Sequence, residues 1–296
     1  MPELHRVLSE LIPHLSSIAR VQPVGGGCIS DAQRVSIVDS SGDLRDLFVK
    51  SNDASFLDNF RCEWDGLVRL NASGAIGVPQ PIAVGAVADH AYLITGWIEQ
   101  QNPDRDFYAK FGEALAELHR TTLGSQIGLD QNNYLGSARQ INSSLPVWPE
   151  FFAVNRIGFQ IRWAIDQGLA DPKLHQDCRQ IMDSIDQILD GRDESTSLLH
   201  GDLWSGNYLC GPGGRPFIID PAVYHGCREA EFGMLKLFGS CPETFYDAYD
   251  DCFPLRSGWQ RRTQVYVLYH LLNHLNLFGS GYHSQCRSIA GQILSQ

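Results

Sequence analysis

The sequence predicts an α+β fold in two lobes: a small N-terminal antiparallel sheet lobe with one helix over residues 1–98, then a larger, mainly helical lobe over 99–296. Three observations predict it. Short apolar runs separated by turn residues fill the stretch from Val21 to Thr95. Beyond Arg105, apolar residues mostly recur every three or four positions, the helical period. Inside that helical part lies a polar loop, His200 to Asn207, and soon after it the apolar run Phe217-Ile218-Ile219 ends on a carboxylate, Asp220.

Each element has its own signal. Leu4, Val7, Leu8, Leu11, Ile12 and Leu15 share helical spacing, which predicts a helix over Pro2–Ile18. A short strand follows at Val21–Val24, broken by Gly25-Gly26-Gly27, and a second runs through Ile37 to the turn Ser40-Ser41-Gly42-Asp43. Glycines in such a bend let backbone amides approach phosphates closely. Leu47-Phe48-Val49 is a third strand that delivers Lys50, and no Gly-Lys dipeptide supplies a Walker A site. Phe56, Phe60, Trp64, Leu67 and Leu70 mark a helix over Ser55–Asn71, with Glu63 beside its apolar face as the candidate partner of Lys50. Asp65 is the neighbouring alternative.

Strands at Pro81–Val87 and Ala91–Thr95 complete the first lobe, and Gly96-Trp97-Ile98-Glu99 with the polar residues after it forms a linker whose backbone can meet an adenine edge. A helix at Arg105–Arg120 contains His119, read as structural. Thr121–Pro149, rich in Gly, Asn, Ser and Gln, reads as a long surface segment. Helices are expected at Pro149–Gln167, Pro172–Leu189, Glu229–Phe238, Glu243–Asp250 and Trp259–Leu277.

Composition narrows the function. A chain of 296 residues with 43% hydrophobic content supports a full core, and a net charge of -11 with no Lys/Arg cluster argues against a nucleic-acid partner. Met1–Ser17 lacks an export pattern and no apolar run has membrane-spanning length, so a soluble cytoplasmic protein without a membrane partner is expected. The eight cysteines include no C-x-x-C pair, which fits neither a zinc ribbon nor a disulfide framework. His270 and His274 lie one helical turn apart but without the H-E-x-x-H base, so no metal is assigned to them.

The loop His200-Gly201-Asp202-Leu203-Trp204-Ser205-Gly206-Asn207 carries the chemistry. H-G-D alone is equally a capped turn. His200, Asp202 and Asn207 also match the H-x-D-x-x-x-x-N spacing in which the Asp accepts a hydroxyl proton during phosphoryl transfer and the Asn holds Mg²⁺, with Asp220 placed as the other metal ligand. Ser205 is not a nucleophile elbow, because Leu203 stands where that motif requires glycine. Asp202 needs no shifted pKa to orient a hydroxyl and take its proton late.

H-G-D-L-W-S-G-N followed by F-I-I-D-P-A-V-Y resembles the fructosamine kinase (ketosamine 3-kinase) family, within the protein-kinase-like and aminoglycoside-phosphotransferase-like fold. Similar stretches are G-G-G-C-I-S at Gly25–Ser30, F-V-K at Phe48–Lys50, E-W-D-G-L at Glu63–Leu67 and the run Tyr266–Gly279. The resemblance implies ATP-dependent phosphorylation of the C3 hydroxyl of a ketosamine, small or protein-bound, with ATP and Mg²⁺ as cofactors, in a monomer or homodimer. It implies Asp202 as base, Asn207 and Asp220 as Mg²⁺ ligands, Lys50 as phosphate anchor and Glu63 as its ion-pair partner. Trp204 and Tyr224 are candidate substrate contacts, and Cys28, in the glycine bend, is a candidate redox site. Around Asn142–Phe152 and at His225-Gly226-Cys227-Arg228-Glu229 the chain departs from the family pattern. A sibling kinase of aminoglycosides, choline or homoserine and a catalytically silent nucleotide-binding scaffold are the competing expectations.

Overall fold

The computed structural model describes residues 2–13, 15–25, 29–239 and 241–295. The N-terminal unit comprises α1 (Pro2–Leu11), β1 (Leu15–Pro23), β2 (Asp31–Asp39), β3 (Leu44–Asp53), α2 (Leu57–Ala72), β4 (Pro81–Val87) and β5 (His90–Gly96). Its five strands form an antiparallel sheet in the order β1-β2-β3-β5-β4. Strand alternation splits β3 between two faces. Leu47 and Val49 join Leu8, Val35, Ile37 and Ile94 in a core packed against α1. Lys50, on the other face, turns toward α2.

The predicted first helix is too long. It ends at Leu11, and Leu15–Ile18 already belong to β1. Pro13 cannot donate the next helical hydrogen bond, and the residues beyond it match the helical period only by coincidence. Register shifts between Leu15 and Ser17 and between Ile18 and Arg20 also break the alternation that would have marked this strand.

The rest of the chain comprises α3 (Phe107–Thr121), β6 (Asn133–Leu135), β7 (Ala138–Gln140), α4 (Trp148–Phe151), α5 (Phe159–Asp166), α6 (Pro172–Asp183), α7 (Ile185–Ile188), β8 (Ser197–Leu199), β9 (Tyr208–Cys210), β10 (Pro216–Ile218), β11 (Tyr224–Gly226), α8 (Glu231–Leu237), α9 (Glu243–Cys252), α10 (Trp259–Phe278) and α11 (His283–Leu294). Two apolar clusters organise it. One packs α3, α8 and α9 around Phe111, Phe232, Phe245 and Tyr249; the other gathers α4 to α6, α10 and α11 around Phe152, Ile181, Tyr266 and Leu272.

Thr121–Pro149 is only in part a surface segment. It folds into the β6–β7 hairpin, and Asn133, Gln140 and Asn142 are buried. Their amides bond to one another and to the carbonyls of Val223 and Ala222, so polar composition here reflects a buried network. Between α4 and α5, Phe152–Gly158 forms a π-helical turn. It carries Arg156, fully buried, which donates to the Ile141 carbonyl and Asn142 and lies 4.3 Å from the ring centroid of Tyr224. Among the described residues no helix is long and apolar enough to cross a membrane.

Candidate active site

The site lies where β3 and α2 of the sheet unit meet the loops that follow β8 and β10. Lys50 Nζ is 2.8 Å from Glu63 Oε1 and 2.8 Å from Asp220 Oδ1. Glu63 therefore faces the lysine, whereas Asp65 pairs with Arg69 at 2.6 Å. Burial opposes the Lys50 ammonium, but the charges of Asp220 and then Glu63 outweigh it and hold the pKa above the ordinary lysine value. Burial raises the Glu63 carboxyl, against Lys50 and with Asp220 adding to the rise.

Asp220 is one of two non-glycine residues with positive φ among the described residues, at φ 56°. A carboxylate held in the left-handed region is strained backbone kept in place by its surroundings. Those surroundings are visible: Ile219 N–H donates to the Asn207 carbonyl at 3.0 Å, and Ala222 N–H donates to the His200 carbonyl at 2.8 Å. The two loops are thus laced together on either side of Asp220.

Asn207 Nδ2 donates to the Asp202 carbonyl at 2.8 Å and to Asp202 Oδ2 at 3.2 Å. His200 Nε2–H donates to the Ile219 carbonyl at 2.7 Å, which leaves Nδ1 to accept the Asp202 N–H at 3.3 Å. Burial lowers the His200 pKa, consistent with that neutral tautomer. Gly201 has φ 81°, and a Cβ there would lie 2.2 Å from the Ala222 carbonyl oxygen, so glycine is required. Asp202 is shifted, although the role expected from the sequence does not need it. Burial, then the charge of Asp220, pushes its carboxyl well above the usual range, against the hydrogen bond from Asn207.

Glu231, at the start of α8, was not singled out from the sequence. Its two oxygens accept the backbone N–H groups of His200 at 2.6 Å and Gly201 at 3.0 Å from beneath the loop. His119 backs it, with Nε2 3.6 Å from Glu231 Oε2 and Nδ1 hydrogen-bonded to the Tyr249 hydroxyl at 2.7 Å. The available signal was an acidic residue on the first helical turn after the loop and its following strands.

The other candidates divide. Trp204 packs edge-on against Phe238 at 5.9 Å beside the loop. Tyr224 is 2% exposed, stacked with Trp148 and covered by Arg156, so it is a core residue and not an open wall for substrate. Gly96 N–H donates to Gln80 and Trp97 N–H to Asp46, while Trp97's ring lies under Arg34 at 4.7 Å. A Cβ added at Gly211 would lie 3.3 Å from Ile98. Gly25 is described, but Gly26, Gly27 and Cys28 lie outside the described residues. His274 Nδ1–H donates to the His270 carbonyl at 2.8 Å, an interaction within α10 and not a shared ligand set.

Asn207 and Asp220 suit Mg²⁺. Both offer oxygen donors, Asn207 bonds to Asp202 through its nitrogen, and the Asp220 side chain is 41% exposed with Oδ1 engaged by Lys50. Mg²⁺ typically takes one or two protein carboxylates and completes its shell with water and phosphate oxygens.

Comparison with known proteins accords with this geometry. The chain is 37% identical to a probable ketoamine kinase of Synechocystis over 92% of its length and 89% of that protein. It is 36% identical to the protein-ribulosamine 3-kinase, chloroplastic, of Oryza sativa over 94% of its length and 80% of that protein. The crystal structure of a putative fructosamine-3-kinase from Thermobifida fusca superposes with a TM-score of 0.86 at 31% identity, covering 100% of both chains. Matched by the fructosamine kinase model from residue 1 to residue 296, and folded in the two-lobed protein-kinase-like form, the chain belongs to the fructosamine kinase family.

Proposed function

We propose that the chain is an ATP-dependent ketosamine kinase that phosphorylates the C3 hydroxyl of fructosamine or ribulosamine adducts of amines or protein lysines, a deglycation repair activity. The observation that carries this reading is the facing pair of assemblies, Lys50 between Glu63 and Asp220, and Asp202 held by Asn207. The names of the relatives supply the acceptor class.

In this reading Asp202 orients the acceptor hydroxyl and accepts its proton as the phosphoryl group transfers. Lys50 engages the α- and β-phosphates, kept extended by Glu63. Gly25, Gly26 and Gly27 bring backbone amides to the phosphates, and the segment Gly96-Trp97-Ile98 lies along the base. Asn207 and Asp220 hold Mg²⁺, which supplies positive charge against the phosphate oxygens. Trp204, beside the base, offers a ring face to the sugar.

The test is ATP consumption with Mg²⁺ against ribulosamine, fructosamine, an aminoglycoside and choline, run beside Asp202→Ala. Turnover confined to ketosamines and reduced at least about 10²-fold in the variant is expected. Turnover of the aminoglycoside or choline instead would reassign the acceptor, and ATP binding without turnover of any acceptor would favour a silent scaffold.

A further inference from the structure

Lys50 stands between two carboxylates carried by separate elements, Glu63 on α2 and Asp220 on the loop after β10, and one hairpin is hydrogen-bonded behind both. On α2, Asp58, Cys62, Asp65 and Arg69 recur at i, i+4, i+7 and i+11, which puts them on one face. That face meets residues 130–134, at the start of the β6–β7 hairpin. Tyr134 Oη–H donates to Asp58 Oδ2 at 2.8 Å, the Cys62 thiol faces the Asn132 carbonyl at 3.7 Å, and Gln131 Nε2 donates to Asp65 Oδ2 at 3.1 Å. Arg69 closes the row: Nε donates to Asp65 at 2.6 Å, and Nη2 reaches both oxygens of Asp130 at 2.9 Å. Glu63 follows Cys62, about 100° round the helix, and turns away from this row toward the lysine.

The inner side of the same hairpin holds the other carboxylate. Side chains alternate along a strand, so Asn133, next to Tyr134, points inward and donates to the Val223 carbonyl at 2.8 Å. Gln140, its partner across the hairpin, donates to the Ala222 carbonyl at 3.0 Å and to Asn133 Oδ1 at 2.9 Å. Ala222 and Val223 closely follow Asp220, whose φ of 56° needs surroundings that over-determine it. Behind them, the buried Arg156 fixes Asn142, which in turn donates to Asn133 Oδ1 at 2.7 Å. The hairpin is therefore anchored in the helical unit independently of α2.

Apolar packing alone does not set the angle of α2. Leu67 and Leu70 pack into the helical unit and Phe60 against the sheet, but such contacts are non-directional, whereas hydrogen bonds fix direction. A turn of α2 by one residue would carry Glu63 off Lys50, and the row from Asp58 to Arg69 opposes it. The row is also a poor source of stability: the Arg69 side chain is 29% exposed and that of Asp130 65%, and pairs as open as this contribute little to folding.

We infer that the β6–β7 hairpin is a positioning element for Lys50, acting on Glu63 through Tyr134 and the Asp130–Arg69 pair and on Asp220 through Asn133 and Gln140. The inference deepens the reading of Lys50 as phosphate anchor and rests on that reading for its effect on nucleotide.

The experiment uses Arg69→Gln, Tyr134→Phe and the double variant, beside the wild type and Glu63→Gln. In protein without nucleotide, acetylation of Lys50 by acetic anhydride at about pH 9 is followed by mass spectrometry and normalised to Lys173 on α6. Only the neutral amine reacts, and against burial Asp220 and Glu63 hold it protonated. Release of Glu63 should therefore raise acetylation in the double variant several-fold, toward the rate of Glu63→Gln, with the single variants between. The thermal midpoint without nucleotide should stay near that of the wild type. With Mg²⁺, a non-hydrolysable ATP analogue should bind the double variant roughly 3- to 10-fold more weakly, and the KM for ATP should rise more than kcat falls. Acetylation of the double variant at the wild-type rate would overturn the inference, and a lowered thermal midpoint beside that unchanged rate would mark the row as merely structural. Raised acetylation with unchanged affinity for the analogue would support the positioning role while sinking Lys50 as the phosphate anchor.

Discussion

Glu231 shows how much of the site depends on one residue that touches no reacting atom. Its two carboxylate oxygens meet two buried N–H groups, those of His200 and Gly201. Glu231→Gln retains one acceptor and turns an NH₂ toward the other donor, so it should destabilise the fold by about 1–3 kcal/mol, the cost of an unsatisfied buried polar group. Urea unfolding reads that loss. Because Glu231 acts through the loop, kcat should fall while the KM for ATP stays near the wild-type value; a rise confined to KM would contradict this role. Buried histidines predict a pH dependence. Burial lowers the pKa of His119, and it lowers that of His270 to about 3, with His274 and Arg156 adding to the effect. The unfolded chain binds protons below the ordinary histidine value of about 6.5 while these folded groups stay neutral, so their contribution to stability is complete above that value and is lost as the pH falls toward the folded pKa. Thermal midpoints recorded from about pH 7.5 down to about 4.5 should therefore decline, and His270→Leu should make the decline shallower. An identical slope in that variant would assign the effect to other groups.

Among the elements, those with one clean period were legible and those with two competing signals were not. The helix bearing Glu63 shows a single apolar face and the strand bearing Lys50 a short continuous apolar run, and the structure places Glu63 against Lys50 and not Asp65. The short strand ending before Asp220 was legible for the same reason. By contrast, β1 is bulged, so its alternation is broken. The β6–β7 segment hides its burial behind polar side chains because Asn133, Gln140 and Asn142 satisfy one another. The π-helical turn before α5 and the raised pKa of Asp202 depend on tertiary surroundings that no local pattern encodes. Close helix packing has the same character. Gly112 on α3 faces α9 so tightly that a Cβ would lie 2.2 Å from the Phe245 carbonyl oxygen. In an isolated helix Gly→Ala stabilises by about 1 kcal/mol, whereas Gly112→Ala should destabilise by roughly 1–3 kcal/mol or more because α3 and α9 must separate. A urea midpoint at or above that of the wild type would show that the two helices yield easily.

At the scale of the molecule, the sheet unit and the helical unit are joined at the site itself. Lys50 of β3 reaches across to Asp220 at 2.8 Å, and α2 packs so closely on the segment after Asp220 that a Cβ on Gly66 would lie 3.1 Å from Pro221. Gly77 adds backbone hydrogen bonds to Pro216 and Ile218 on β10. Nucleotide binding in the proposed role therefore exchanges one inter-unit tie for another: Lys50 and Asp220 turn from each other toward phosphate and cation. This separates binding from chemistry. With Mg²⁺ present, a non-hydrolysable ATP analogue at about 100 times its Kd should stabilise the protein by about 2.7 kcal/mol, read as a raised thermal midpoint. Asp202→Ala should retain most of that shift while losing turnover, since Asp202 acts on the acceptor hydroxyl. Asp220→Ala should lose the Mg²⁺-dependent part of the shift, and Lys50→Ala the part that persists in chelator. If Asp202→Ala abolished the shift as completely as Asp220→Ala, the division between base and cation ligand would be wrong, and Asp202 would have to be reassigned to the nucleotide.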